Sequence, residues 1–198
     1  GIAAADPRTA VNRCLRVDQT GTLHISLDTP GSGHVLSRPW HTIHLIAVGK
    51  AACTMMSAAR QTLANTPIAH AIAITTEDNA LSMDDIEVHA AGHPVPNAAG
   101  LYAANKIADI VSKAQSDELV LVLISGGGSA LLPCPVADIT LDDKIQTTQH
   151  LLACGADIHA INCVRKHLSR LKGGGLAKMA YPADLHALIL SDVLDDDL

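Results

Sequence analysis

From residue 43 onward the chain repeats one pattern, a short and almost wholly apolar run followed by a longer Ala-rich stretch. The runs at 43–48, 71–75, 86–91, 119–124 and 185–190 predict β-strands. Helices are predicted over 51–64 and 98–114, the second opening just after Pro94 and Pro96 break the chain. Thr140-Leu141-Asp142-Asp143 reads as a capped helix start with acids placed to complement the dipole. Asp157 opens another helix, running to about residue 171 and stopped by Gly173-Gly174-Gly175, and a short one follows over 176–180. Before this alternating region, Asp6-Pro7 predicts a helix to about residue 17, and Thr29-Pro30-Gly31-Ser32-Gly33 a hairpin turn.

Strands that are apolar at every position, rather than at alternate ones, belong to a parallel sheet buried on both faces. Helices between them supply the crossovers. The expected fold is therefore α/β: a doubly wound, mostly parallel, Rossmann-like sheet in three layers, with residues 1–198 forming a single domain. Neither an internal repeat nor a low-complexity linker interrupts it.

Composition narrows the function classes. Hydrophobic residues make up 48% of the 198 and charged ones 17%, which suits a packed core. With one Trp, two Tyr and no Phe, stacking on nucleic-acid bases is nearly excluded. The net charge of −6 argues against binding a phosphate backbone. Five cysteines, in no C-x-x-C or zinc spacing, read as buried thiols of a reducing compartment. The longest aliphatic run, 119–124, is too short to cross a bilayer, and the expected location is the cytoplasm.

In open parallel sheets ligands sit at the carboxyl ends of the strands, where the strand order reverses. Three groups fall there: Gly49-Lys50, then Ser125-Gly126-Gly127-Gly128-Ser129, then Ser191-Asp192. The three glycines let backbone N–H groups approach an anion, although a tight strand-to-helix turn also uses glycine. The turn is not a dinucleotide fingerprint, because Leu131 stands where the last glycine belongs, and Gly49-Lys50-Ala51 is not a P-loop. Lys50 and Asp192 have plain readings too, a surface lysine and a helix-capping aspartate. Residues 162–175 hold four of the 14 lysines and arginines, Arg165, Lys166, Arg170 and Lys172. That cluster fits a phosphate or carboxylate site, or equally a basic turn complementing its own helix dipole. The eleven histidines show no metal-ligand spacing and read mostly as surface residues, with His93 before Pro94 set apart.

Taken together, Val48-Gly49-Lys50-Ala51-Ala52, His93-Pro94-Val95-Pro96, the Ser-Gly-Gly-Gly-Ser stretch, residues 162–175 and Ser191-Asp192-Val193 resemble the glycerate 2-kinase family, in its order and at compatible spacing. The resemblance implies ATP- and Mg²⁺-dependent phosphorylation of D-glycerate at its 2-hydroxyl. It implies Lys50 and Asp192 as catalytic residues, Asp192 also as a Mg²⁺ ligand, and anion contacts from the glycine-rich turn, Arg165, Lys166 and Lys172. Family members carry a second, carboxy-terminal domain that closes the active-site cleft, so this chain is expected to be the amino-terminal part of a two-domain kinase. No nucleic-acid or membrane partner is implied, and a homo-oligomer is left open. The chain departs from the family pattern at Asp195, where glycine is usual, and at Asn97, where aspartate is common. Two other functions compete: a hydroxypyruvate reductase using NAD(P)H, and an anion-binding domain without catalysis.

Overall fold

The computed structural model describes residues 6–27 and 33–191. Its first unit is small. Helix α1 (Pro7–Cys14) starts where Asp6 accepts the Thr9 N–H and Pro7 takes the first helical position. The chain then turns into strand β1 (Leu15–Val17), which pairs antiparallel with β2 (Leu23–Ser26), itself paired with β3 (Val35–Arg38). The helix thus ends three residues sooner than its pattern predicts. Leu15 is drawn into the core opposite Ile25, and that pairing outweighs continuation of the helix. The β2–β3 hairpin is present, while the predicted turn residues 29–32 lie outside the described residues.

The main sheet holds β4 (Thr42–Val48), β5 (Ile68–Thr75), β6 (Glu87–Ala90), β7 (Glu118–Ile124) and β8 (Asp184–Ile189). All its pairings are parallel and the order is β6-β5-β4-β7-β8. After β4 the chain builds outward through β5 and β6, then returns to the other side of β4 to lay down β7. The order therefore reverses between β4 and β7, which places the ligand-binding crevice of this fold class at their carboxyl ends.

Period-two geometry sends alternate residues of the buried strands to opposite faces. Leu45 and Ala47 of β4, with Leu119, Leu121 and Leu123 of β7, pack against helix α2 (Ala52–Thr62) and the small antiparallel unit. Ile46, Val48, Val120 and Val122 face α3 (Ala98–Val111) and the short α7 (Gly175–Ala180). Helix, sheet and helix make the three layers expected from the pattern. The edge strands β6 and β8 are less buried, as edges must be.

Between β7 and α7 lie α4 (Gly128–Leu131), α5 (Leu141–Ala153) and α6 (Ile158–His167). Helix α5 opens on a complete capping box: the Asp143 N–H donates to Thr140 Oγ1 at 3.1 Å, and the Thr140 N–H to Asp143 Oδ2 at 2.8 Å. Replacing Thr140 by alanine removes that cap and is expected to cost about 1 kcal/mol in urea denaturation. An unchanged midpoint would show that the cap contributes nothing.

Two readings of reactive side chains are corrected by the fold. Cys53 and Cys134 are buried and Cys14 half-buried, but Cys154 and Cys163 are exposed, at the end of α5 and on α6. His44 is not a surface residue either; it is 5% exposed inside β4. Its Nε2 pairs with Glu118 at 3.0 Å, and its Nδ1 lies 3.0 Å from His70 Nδ1. One proton serves that nitrogen pair, so the two rings cannot both be charged without breaking it.

Desolvation first, then the neighbouring His44, holds the His70 imidazole below its ordinary value. His186 is lowered as well, mainly by burial. Below about pH 6.5 the unfolded chain takes up protons that these folded histidines refuse. Stability is therefore full above that pH and falls on acidification through the lowered values. Thermal melts from pH 8 to 5 should show this decline, and its onset should be weakened in a His70→Asn variant.

Candidate active site at the switch between two strands

The carboxyl ends of β4 and β7 are bound to each other. The Ser125 N–H donates to Val48 O at 2.9 Å, and the Lys50 N–H to Gly126 O at 2.9 Å. Ser125 Oγ accepts the Ala51 N–H at 3.0 Å, fixing the start of α2 onto the turn. The approach is so close that a side chain at residue 49 has no room. A Cβ on Gly49 would lie 2.2 Å from Ser125 Oγ and 2.5 Å from Ser125 O, at a φ of +128°.

The glycine-rich turn is equally constrained. Gly127 adopts φ +85°, and a Cβ there would meet the His93 ring at 3.1 Å and Lys50 Cε at 3.5 Å. The aliphatic stem of Lys50 and the ring of His93 thus flank Gly127, which brings three of the sequence motifs onto one rim. Among the described residues, the N–H groups of Gly126, Gly127 and Ser129 have no protein acceptor. Lys50 is exposed and its ammonium has no carboxylate partner among those residues. Loss of hydration, then the charges of Lys50 and Arg165, keeps the His93 imidazole below its ordinary value. A neutral histidine, a free ammonium and free N–H groups constitute a site for an anion.

Beside this rim is a second basic group. Lys144, Arg165 and Lys172 line one cavity together with Pro96 and Ser129. Lys144 Nζ donates to Leu168 O at 2.8 Å, and Lys172 Nζ to Leu132 O at 3.3 Å. Burial, reinforced by Lys144 and Arg165, brings the Lys172 ammonium down to about 8. Burial also lowers Lys144 and Arg165. Lys166 does not join them: it is exposed, with its stem against Gly173, where a Cβ would sit 2.8 Å from Lys166 Cγ. Asp192, the remaining predicted site residue, lies outside the described residues. Strand β8 approaches the same rim through the Leu190 N–H, which donates to Ile124 O at 2.8 Å.

Lys144 lies outside every motif that the sequence singles out. A signal was available, because a lysine at the fourth position of a capped helix sits at the positive end of the dipole, where cations are disfavoured. Among the described residues, no group of three or more His, Cys, Asp or Glu side chains could hold a metal ion.

Residues 1–198 match the model of a family described as a domain of unknown function, DUF4147. The chain belongs to that family. The DUF4147 chain is 38% identical to a Pyrococcus horikoshii protein named glycerate 2-kinase, over 100% of its own length and 42% of the relative's. It superposes on the crystal structure of a glycerate kinase from Thermotoga maritima with a TM-score of 0.80 at 35% identity, covering 98% of this chain and 42% of that one. An Agrobacterium vitis relative, 43% identical over 99% of this chain and 40% of its own length, carries a provisional hydroxypyruvate reductase name. The DUF4147 chain thus spans about two fifths of the length of the curated relatives it matches. Among its described residues no helix is long and apolar enough to cross a membrane.

Proposed function

We propose that the chain is the amino-terminal domain of a cytoplasmic kinase that transfers the γ-phosphoryl group of ATP to the 2-hydroxyl of D-glycerate. The observation that carries this reading is the convergence of Lys50, His93 and the free N–H groups of the glycine-rich turn at the β4/β7 switch. Membership in a family with relatives named glycerate kinase supports the choice of substrate and donor.

Phosphoryl transfer asks the protein mainly to position groups and balance charge. The oxygen of the 2-hydroxyl forms a bond to the γ-phosphorus as the bond to the bridging oxygen of ADP breaks. Lys50 neutralises the glycerate carboxylate or a phosphate oxygen. The N–H groups of Gly126, Gly127 and Ser129 hold phosphate or carboxylate oxygens. Asp192 takes the hydroxyl proton or holds Mg²⁺ through its carboxylate. Mg²⁺, when bound, would supply further neutralisation of the phosphates. The rest of the relatives' length corresponds to a carboxy-terminal domain completing the cleft.

Phosphorus NMR of the complete polypeptide with ATP, Mg²⁺ and D-glycerate should show a 2-phosphoglycerate resonance growing in. Its absence would overturn the assignment. The Agrobacterium name favours a second reading, hydroxypyruvate reduction, although Leu131 breaks the dinucleotide fingerprint. NADH consumption with hydroxypyruvate would establish it. Binding of nucleotide and glycerate by calorimetry, without turnover of either kind, would leave an anion-binding domain.

A further inference from the structure

We propose that Ser37, His24 and Asp18 form a second reactive centre, in which Ser37 is a nucleophile that takes acyl groups from small esters. The centre lies on the antiparallel unit of β1, β2 and β3, apart from the β4/β7 switch, and it does not depend on the kinase reading. The Ser37 hydroxyl donates to His24 Nδ1 at 2.6 Å, and His24 Nε2 donates to Asp18 Oδ2 at 2.8 Å. A carboxylate only accepts, so the single ring proton of neutral His24 sits on Nε2. Nδ1 is then bare and faces the hydroxyl. Nucleophile, base and orienting acid stand in series, the relation by which a catalytic triad is recognised.

Strand geometry builds this series. Leu23 and Ile25 are buried, so the period of two turns His24 to the opposite face of the unit. His24 and Ser37 are Cα partners across β2 and β3. The Leu27 N–H donates to His34 O at 3.0 Å, and alternation from that hydrogen-bonded pair makes 24 and 37 a non-hydrogen-bonded one. Facing side chains stand closest in such pairs. The same alternation directs the Ser37 N–H away from β2, at the open edge of β3, where it has no acceptor among the described residues. Asp18 is fixed by the turn before β2. Its Oδ1 accepts the Thr20 N–H at 2.9 Å, the Thr22 N–H at 3.0 Å and the Thr20 hydroxyl at 2.6 Å, which leaves Oδ2 for the ring. The Thr20 hydroxyl first, then His24 and the Thr22 N–H, hold the Asp18 carboxyl well below the usual carboxylate range.

The chemistry is acyl transfer. Ser37 Oγ bonds to the ester carbonyl carbon as its proton passes to His24 Nδ1, and the carbonyl electron pair moves onto oxygen. The Ser37 N–H is placed to donate to that oxyanion. Ionised Asp18 holds the ring and balances the imidazolium. Collapse breaks the bond to the ester oxygen, which leaves as an alcohol with the proton from His24, and Ser37 is acylated. Water then repeats the sequence, releasing a carboxylic acid and restoring the hydroxyl. The His24 side chain is 19% exposed and Ser37 is open to solvent, so the base is sheltered while the nucleophile is accessible. An exposed nucleophile on a strand edge suits short, unhindered acyl groups.

The test uses the complete polypeptide with two probes. A fluorophosphonate, which loses fluoride to an activated serine, should leave its phosphonyl group on Ser37, located by peptide mass spectrometry. With p-nitrophenyl acetate, release of p-nitrophenolate should be abolished by Ser37→Ala and slowed about 10²-fold or more by His24→Gln. Glutamine still bonds across the strands but takes up no proton. The pH profile separates a base from a structural partner. In the parent the rate should rise as His24 loses its proton and then level off, whereas in His24→Gln it should only follow hydroxide. The proposal is overturned if the phosphonyl group is absent from Ser37 or equally present on other serines. It is also overturned if ester cleavage survives Ser37→Ala, or if His24→Gln reacts within threefold of the parent. Ser37→Ala should leave D-glycerate phosphorylation unchanged, so failure of either activity is told apart from failure of the other.

Discussion

Gly49→Ala is expected to lower folding stability by about 3 kcal/mol or more. Gly49 sits at a φ of +128°, where a side chain is strained whatever the space. Space is also lacking, with Ser125 Oγ at 2.2 Å from the added carbon and Ser125 O at 2.5 Å. Ser125 cannot retreat, since its N–H is tied to Val48 O and its Oγ receives the Ala51 N–H. The strain would be relieved only by parting β4 from β7 at the switch itself. Gly155→Ala is the internal control: Gly155 has φ +72° but nothing within 4 Å, so only the left-handed penalty of about 1 kcal/mol applies. Urea denaturation of the two variants decides the matter, and equal losses would mean that the close approach at Gly49 is not tight.

Lys50→Met should reduce kcat/KM of the complete polypeptide for D-glycerate phosphorylation by about 10²-fold or more. Stability should hardly change, because Lys50 is exposed and its ammonium pairs with no carboxylate among the described residues. The same variant carries a readout independent of turnover. Lys50 is one of two cations that lower the His93 imidazole, so its removal should raise the His93 titration midpoint in proton NMR. A kinase rate within a few-fold of the parent would remove Lys50 from the site. An unmoved His93 would contradict the arrangement around Gly127.

Much of the fold follows from simple periodicity. The runs at β4 and β7 are apolar at almost every position because both faces of a central parallel strand are covered, and both strands form where that pattern predicts them. Caps were equally plain at Asp6, Thr140 and Asp157, each of which accepts an N–H at the start of a helix, whereas the Asn97 cap of α3 shows only in the structure. The failures have physical causes. β1 is three residues long, too short to show a period of its own, and only its partner β2 makes it a strand. The exposure of Cys154 and Cys163 depends on which helix faces the rest of the chain covers, which local composition does not encode.

The candidate site divides along the same line. The ingredients of the rim are legible in the order of residues alone: a lysine after one buried strand, three glycines after another, and a histidine before a proline-rich break. Each is a local feature, written in residue types a few positions apart. It takes the folded chain to make the strand order reverse between β4 and β7, so that Lys50, His93 and Gly127 meet there while Lys166 stays outside. Folding also brings Lys144 to Arg165 and Lys172, more than twenty residues away. Strand order and helix docking are set by burial of apolar faces over long sequence separations, and a charge carried along on such a helix finds its neighbours only when the helix docks.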